Sequence, residues 1–157
     1  MLKKEQQAPL DIVVTDGEGK QVSLKDMLGA YVVLYAYPKD QTPGCVKEAC
    51  SIRDVYGEFK ELGVAVMGIS ADSASSHKKF TDAHKLNFPL WSDVNHELLT
   101  ALGVWGERTF MGKTYMGIAR TTFLIDKEGI VAHVWEKVKP EGHGEEVLDF
   151  VKKEILH

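Results

Sequence analysis

The chain has two residues with reactive chemistry of their own, Cys45 and Cys50, and no other cysteine among its 157 residues. Two thiols this close, in a chain too cysteine-poor for a disulfide framework, point to redox chemistry, metal binding or coincidence. The residues before Cys45 are informative. Pro38-Lys-Asp-Gln-Thr42-Pro43-Gly44 ends in a helix start: threonine can cap, and proline suits the first helical position. Cys45 then occupies the third helical position. Unpaired backbone N–H groups and the positive end of the helix dipole favour thiolate over thiol there. At about 100° per residue, Cys45 shares a face with Ala49, Ile52 and Tyr56, while Cys50 lies roughly 140° away on the flank. A buried core cysteine would also fit that face. The proline-rich turn and the helix-start position weigh toward the reactive reading.

The elements around these residues must place them. Tyr31–Tyr37 is a continuous apolar run, as expected of a strand covered on both faces. The helix opened by Thr42 runs on the repeat Ala49, Ile52, Val55, Tyr56, Phe59, Leu62 and stops at Gly63. Upstream, Asp11–Asp16 reads as a strand and Ser23–Leu28 as a short capped helix. Downstream, Val64–Ser70 and Phe88–Trp91 read as strands, and Ser73–Lys85 and Asp93–Leu102 as helices. Arg120–Ile125 and Ile130–Trp135 form a hairpin through the turn Asp126–Gly129. Gly144–Leu156 is a closing amphipathic helix. No linker or repeat interrupts the order, so residues 1–157 are expected to form one α/β domain. It would have a mixed central sheet and helices on both faces. The site would lie at the carboxyl end of a strand.

Pro38, Thr42 and Cys45, spaced Pro-x-x-x-Thr-x-x-Cys, resemble the peroxidatic signature of the peroxiredoxins. The longer string Tyr37–Cys45 with Glu48-Ala49-Cys50 is similar to their bacterioferritin comigratory protein (PrxQ) subfamily. Ala8-Pro9, Gly103–Glu107 and Gly117–Asp126 extend the likeness over nearly the whole chain. Val46 and Ala36 depart from the threonine and phenylalanine often found there. The resemblance implies a thioredoxin-like fold and a thiol peroxidase acting on hydrogen peroxide and organic hydroperoxides. It makes Cys45 the peroxidatic nucleophile and Cys50 the resolving thiol of an intramolecular disulfide. Thr42 would hydrogen-bond the thiolate and peroxide, Pro38 would keep water off the sulfur, and Arg120 would hold the thiolate and polarise the peroxide. Without the resemblance, Arg120 reads as an ordinary strand-end arginine. Glu48 either joins this network or is an exposed first-turn glutamate, and Tyr37 and Trp105 either wall the pocket or belong to the core. The implied electron donor is thioredoxin or a related dithiol protein, and the implied state is a monomer.

Other classes of function fit less well. A net charge of −4, from 19 Lys plus Arg against 23 Asp plus Glu, supplies no basic excess for nucleic acid or an anionic membrane. No apolar run approaches the roughly 18 residues of a membrane span, and no signal peptide is read at the N-terminus, so a cytoplasmic location is expected. Gly106–Thr114 has the wrong spacing for a phosphate loop, and no Gly-x-Gly-x-x-Gly occurs. Two cysteines without a neighbouring histidine fall short of a zinc site, so neither metal nor cofactor is expected. The six histidines read as solvated or incidental, and Met111 and Met116 as ordinary packing. A thioredoxin-like disulfide oxidoreductase would need its cysteines two residues apart. A binding module with incidental thiols is the remaining alternative.

Overall fold

The computed structural model describes residues 1–155. Strands β1 (Val14–Asp16), β2 (Gln21–Val22), β3 (Val32–Ala36), β4 (Ala65–Ser70), β5 (Leu90–Ser92), β8 (Thr121–Ile125) and β9 (Val131–Trp135) make one sheet. Its order is β2-β1-β5-β4-β3-β8-β9. β3, β4 and β5 are parallel neighbours, and β1, β8 and β9 join antiparallel. This is the expected mixed α/β sheet. β6 (Trp105–Phe110) and β7 (Lys113–Ile118) pair only with each other, as a separate two-stranded ribbon.

The strands alternate between two cores. Val33, Tyr35, Val66 and Leu124 face one cluster with Phe59 of α1 (Pro43–Glu61), Phe80 of α2 (Ala74–His84) and Val147 of α4 (His143–Ile155). Val32, Leu34, Met67 and Phe123 face the other, with Leu98 and Leu102 of α3 (Glu97–Leu102). Helices therefore cover both faces, which is why the central strands read as unbroken apolar runs. Two glycines permit close approach. A Cβ at Gly68 would lie 2.8 Å from the Tyr35 ring, and one at Gly144 would run into the Ser51 carbonyl, where α4 packs on α1.

Several boundaries differ from the expectation. α3 begins at Glu97 rather than Asp93, because Asp93–His96 is a turn closed by His96 N–H to the Asp93 carbonyl, with His96 left-handed at φ 61°. Ser23–Leu28 narrows to a 3-10 turn, Leu24–Met27. Arg120 precedes β8 rather than starting it. Of the closing helix expected over Gly144–Leu156, the last residue lies outside the described residues. His77 and His143 are buried, at 0% and 1% exposure, not solvated. Met111 and Met116 are 85% and 56% exposed, because the β6–β7 ribbon has no sheet or helix over its tip.

Candidate active site

β3 delivers the chain to the site. Its backbone pairing continues one residue further, as Tyr37 N–H donates to the Ile69 carbonyl, and then Pro38 turns it away. Gln41 takes a left-handed φ of 64°, Thr42 is extended, and α1 starts at Pro43. Cys45 is thus the third residue of α1, as its sequence context predicts. It is 1% exposed and packs with Tyr35, Tyr37, Ala49 and Ile52. Thr42 is the N-terminal cap by backbone, its carbonyl accepting from Val46 N–H at 2.9 Å. Its hydroxyl is not aimed at the sulfur. It donates 2.9 Å to the Lys39 carbonyl, which takes the only proton it has.

Arg120 closes the site from the β7–β8 link. Its Nη2 donates to Cys45 Sγ at 3.3 Å and its Nη1 to Glu48 Oε1 at 2.6 Å. Gly44 makes room for this: a Cβ there would stand 3.2 Å from Nη2. Glu48 is fully buried, one turn along the same helix face as Cys45, so the exposed first-turn alternative fails. Burial pushes its carboxyl up to about 7, against the pull of the Arg120 charge. Burial works against the guanidinium charge too, but Glu48 and Cys45 together hold Arg120 above its ordinary value. Glu48 Oε2 and the Tyr35 hydroxyl are buried without a hydrogen-bond partner among the described residues. Burial, then the charges of Glu48 and Cys45, drive the Tyr35 hydroxyl well up.

Outside Arg120 lies a cavity of about 350 Å³, lined by Pro38, Arg108, Tyr115, Arg120 and Val138 among others. Pro38 is therefore at its wall. Tyr37 is core: it stacks on Tyr35 with ring centroids 5.4 Å apart and turns its hydroxyl to Asp40. Trp105 is not brought to the cysteine. It stacks on His96 at 3.8 Å and packs with the other face's core. Cys50 sits half-buried in a shallow groove with Lys47, Ser51, Glu141 and Gly142, where α4 meets α1. Both cysteines are free thiols, and α1 is continuous between them.

The sequence reading missed four polar residues. Tyr35 was hidden in an apolar run. Buried Asp40 and His77 and half-buried Asp72 cluster beside the loop before α1. The spacing of His77, Phe80 and His84 along one helix face was the available signal.

The AhpC/TSA family matches residues 5–134. The chain is 48% identical to a putative peroxiredoxin Bcp of Coxiella burnetii over 143 residues, 91% of this chain and 94% of that protein. It is 47% identical to the peroxiredoxin Bcp of Bacillus subtilis over 147 residues, 94% of this chain and 93% of the other. Among solved structures, the bacterioferritin comigratory protein of Xanthomonas campestris, described for its alkyl peroxide reduction, superposes with a TM-score of 0.91. That pair shares 35% identity over 98% of this chain and 99% of that one. A cysteine-to-serine variant of Xylella fastidiosa PrxQ superposes at 0.93 with 32% identity, over 98% of each chain.

Proposed function

The chain belongs to the AhpC/TSA family, as a thiol-dependent peroxidase of the Bcp/PrxQ peroxiredoxin type, and from that premise we propose that Cys45 is its peroxidatic nucleophile and Cys50 its resolving thiol. The observation that carries the assignment is the 3.3 Å contact from Arg120 Nη2 to Cys45 Sγ at the start of α1. The thiolate sulfur attacks one peroxide oxygen and the O–O bond breaks. The attacked oxygen stays bonded to sulfur as the sulfenic acid, and the departing oxygen takes a proton to become water or an alcohol. Charge grows on that oxygen during the step. Arg120, already anchored on Glu48, is the fixed donor that opposes it. Pro38 walls the approach, and Thr42 joins the donors if its hydroxyl turns from Lys39.

The second step needs movement. Residues five apart in an α-helix have Cα atoms roughly 8.7 Å apart, whereas a disulfide needs less than about 7 Å. The first turns of α1 therefore unwind before Cys50 attacks the Cys45 sulfenic sulfur and releases water. Glycine at position 44, a poor helix former, eases that opening. The exposed Cys45–Cys50 disulfide is then reduced by thioredoxin or a related dithiol protein. The reading takes the chain as one monomeric, cytoplasmic domain over residues 1–157. Among the described residues, no helix is long and apolar enough to cross a membrane.

The test is peroxide consumption coupled to thioredoxin and its reductase. Turnover by the wild type and none by Cys45→Ser is expected. Insulin reduction without peroxide turnover would instead support a disulfide oxidoreductase.

A further inference from the structure

The loop that carries Pro38 and Thr42 is fastened from behind by polar groups that the peroxidase chemistry does not use. Asp40 and His77 are both buried. The Tyr37 hydroxyl donates to Asp40 Oδ1 at 2.6 Å, and Ser76 Oγ donates to Asp40 Oδ2 at 2.8 Å. His77 Nδ1 lies 2.7 Å from the same Oδ2, and its Nε2 lies 2.9 Å from the Trp91 carbonyl. Both ring nitrogens are thus engaged, one by the Asp40 carboxylate and one by a backbone carbonyl. The backbone is held as well: Asp40 N–H donates to Asp72 Oδ2 at 2.8 Å, and Ser70 Oγ donates to the same oxygen at 2.7 Å. The ends of β3 and β4, the start of α2 and the end of β5 thus converge on one loop residue. Asp40, Asp72 and His77 are near enough to one another to hold a cation, but these protein donors already engage the carboxylates.

The fastening stops where the helix begins. Asp40 is three residues ahead of Pro43, and only Gln41, paired with His84 Nε2 at 3.1 Å, and Thr42 intervene. Pulling Asp40 free would leave buried polar groups of Tyr37, Asp40 and His77 without partners, whereas the first turn of α1 opens into solvent on its outer face. We propose that the Asp40–His77 pair is a positioning device that holds the chain fixed through residue 41. Unwinding of α1 then starts beyond Thr42, and the pocket reassembles on an intact template when the disulfide is reduced. This rests on the assignment of Cys45 and Cys50 made above.

Hydrogen exchange read by mass spectrometry on the reduced and oxidised full chain tests it, together with stopped-flow rates of Cys45 oxidation. In the oxidised wild type, amides of residues 46–50 should lose protection while the hydrogen-bonded amides of Tyr37 and Asp40 keep theirs. In Asp40→Ala the loss should spread to the amides of Tyr37 and residue 40. Its second-order rate with hydrogen peroxide should fall about tenfold or more, through misplacement of the pocket, while disulfide formation from the sulfenic acid is not slowed. Asp40→Asn keeps the Oδ1 acceptor for Tyr37 and puts an amide N–H where Oδ2 stood, which can donate to the Ser76 hydroxyl oxygen or to His77 Nδ1, so it should keep the rate within about threefold of wild type. If Asp40→Ala does not fold, His77→Gln replaces it with the same expectations. Loss of protection at Tyr37 and Asp40 in the oxidised wild type, or a wild-type rate in Asp40→Ala, overturns the positioning role alone. Retained protection at 46–50 in a disulfide-bonded wild type overturns the unwinding reading, and this proposal with it.

Discussion

Glu48 and Arg120 form a buried ion pair, Oε1 to Nη1 at 2.6 Å, and Arg120 is at the same time the only side chain donating to Cys45 Sγ among the described residues. Two acidic groups share one cation. Arg120 is therefore held by Glu48 as well as by the sulfur, and a change at either residue reaches the thiol.

Removing the cation should cost rate more than stability. In Arg120→Ala the guanidinium no longer opposes charge on the leaving oxygen, and loss of one such donor typically slows a reaction by about 10² to 10³. Glu48 need not remain a stranded charge, since burial already pushes its carboxyl up to about 7 and it can take a proton. The rate of Cys45 oxidation by peroxide should thus fall by about two orders of magnitude with only a modest change in thermal midpoint. An unchanged rate would remove Arg120 from the mechanism.

The Glu48 shift sets a pH dependence of stability. Its folded value, about 7, lies above the ordinary 4.5, so the folded state binds the proton more tightly than the unfolded chain. The contribution is full below about pH 4.5 and is lost as pH rises through 7. In a Cys45→Ser background, where sulfur cannot titrate, Glu48→Gln should gain stability relative to Glu48 between pH 5 and pH 8. Urea midpoints at the two pH values measure this; a difference that stays flat, or runs the other way, contradicts the shift.

His143 works in the opposite sense. Burial, aided by the Arg120 charge, lowers it from its ordinary 6.5, while Glu146 pulls upward. Its Nε2 meets Thr122 Oγ1 at 2.7 Å and its Nδ1 meets Glu146 at 2.9 Å. The folded state prefers the neutral ring. The stability is present above pH 6.5 and is lost as pH falls through the lowered folded value. His143→Gln should therefore lose less stability than wild type on acidification from pH 7.5 to 5. An equal loss in both would place the acid sensitivity elsewhere.

The legible parts of the sequence were those governed by period and local chemistry. The unbroken run of β3, the helical stripe of α1 and the Thr42-Pro43 start place Cys45 correctly because each depends on nearby residues. Glu48 and Arg120 could not be joined that way, because they are 72 residues apart and meet only once β8 pairs with β3. His77 escaped for the same reason. Its partners, Asp40 and the Trp91 carbonyl, lie on other elements, so nothing local shows that a buried imidazole is satisfied. Trp105 follows the matching motif in sequence, but the β6–β7 ribbon carries it to the opposite core.

Resolution should decide how Cys45 survives its own substrate. A sulfenic acid left in the closed pocket is exposed to a second peroxide, which carries it on to sulfinic acid. In the proposed cycle, capture by Cys50 competes with that step once the first turns of α1 open. The opening breaks the contact that ties the first turns of α1 to the segment before α4, Lys47 to Glu141 at 3.0 Å. The salt bridge is exposed and weak, so the barrier it adds is small. Cys50→Ser should react with the first peroxide at the wild-type rate, because Cys50 lies off the pocket on the flank of the helix. It should then accumulate sulfinic acid at peroxide levels where the wild type shows only disulfide. Intact-mass measurements across a peroxide titration follow both products. A Cys50→Ser protein that stays at the sulfenic stage, or a wild type that reaches sulfinic acid just as readily, would show that Cys50 does not guard Cys45.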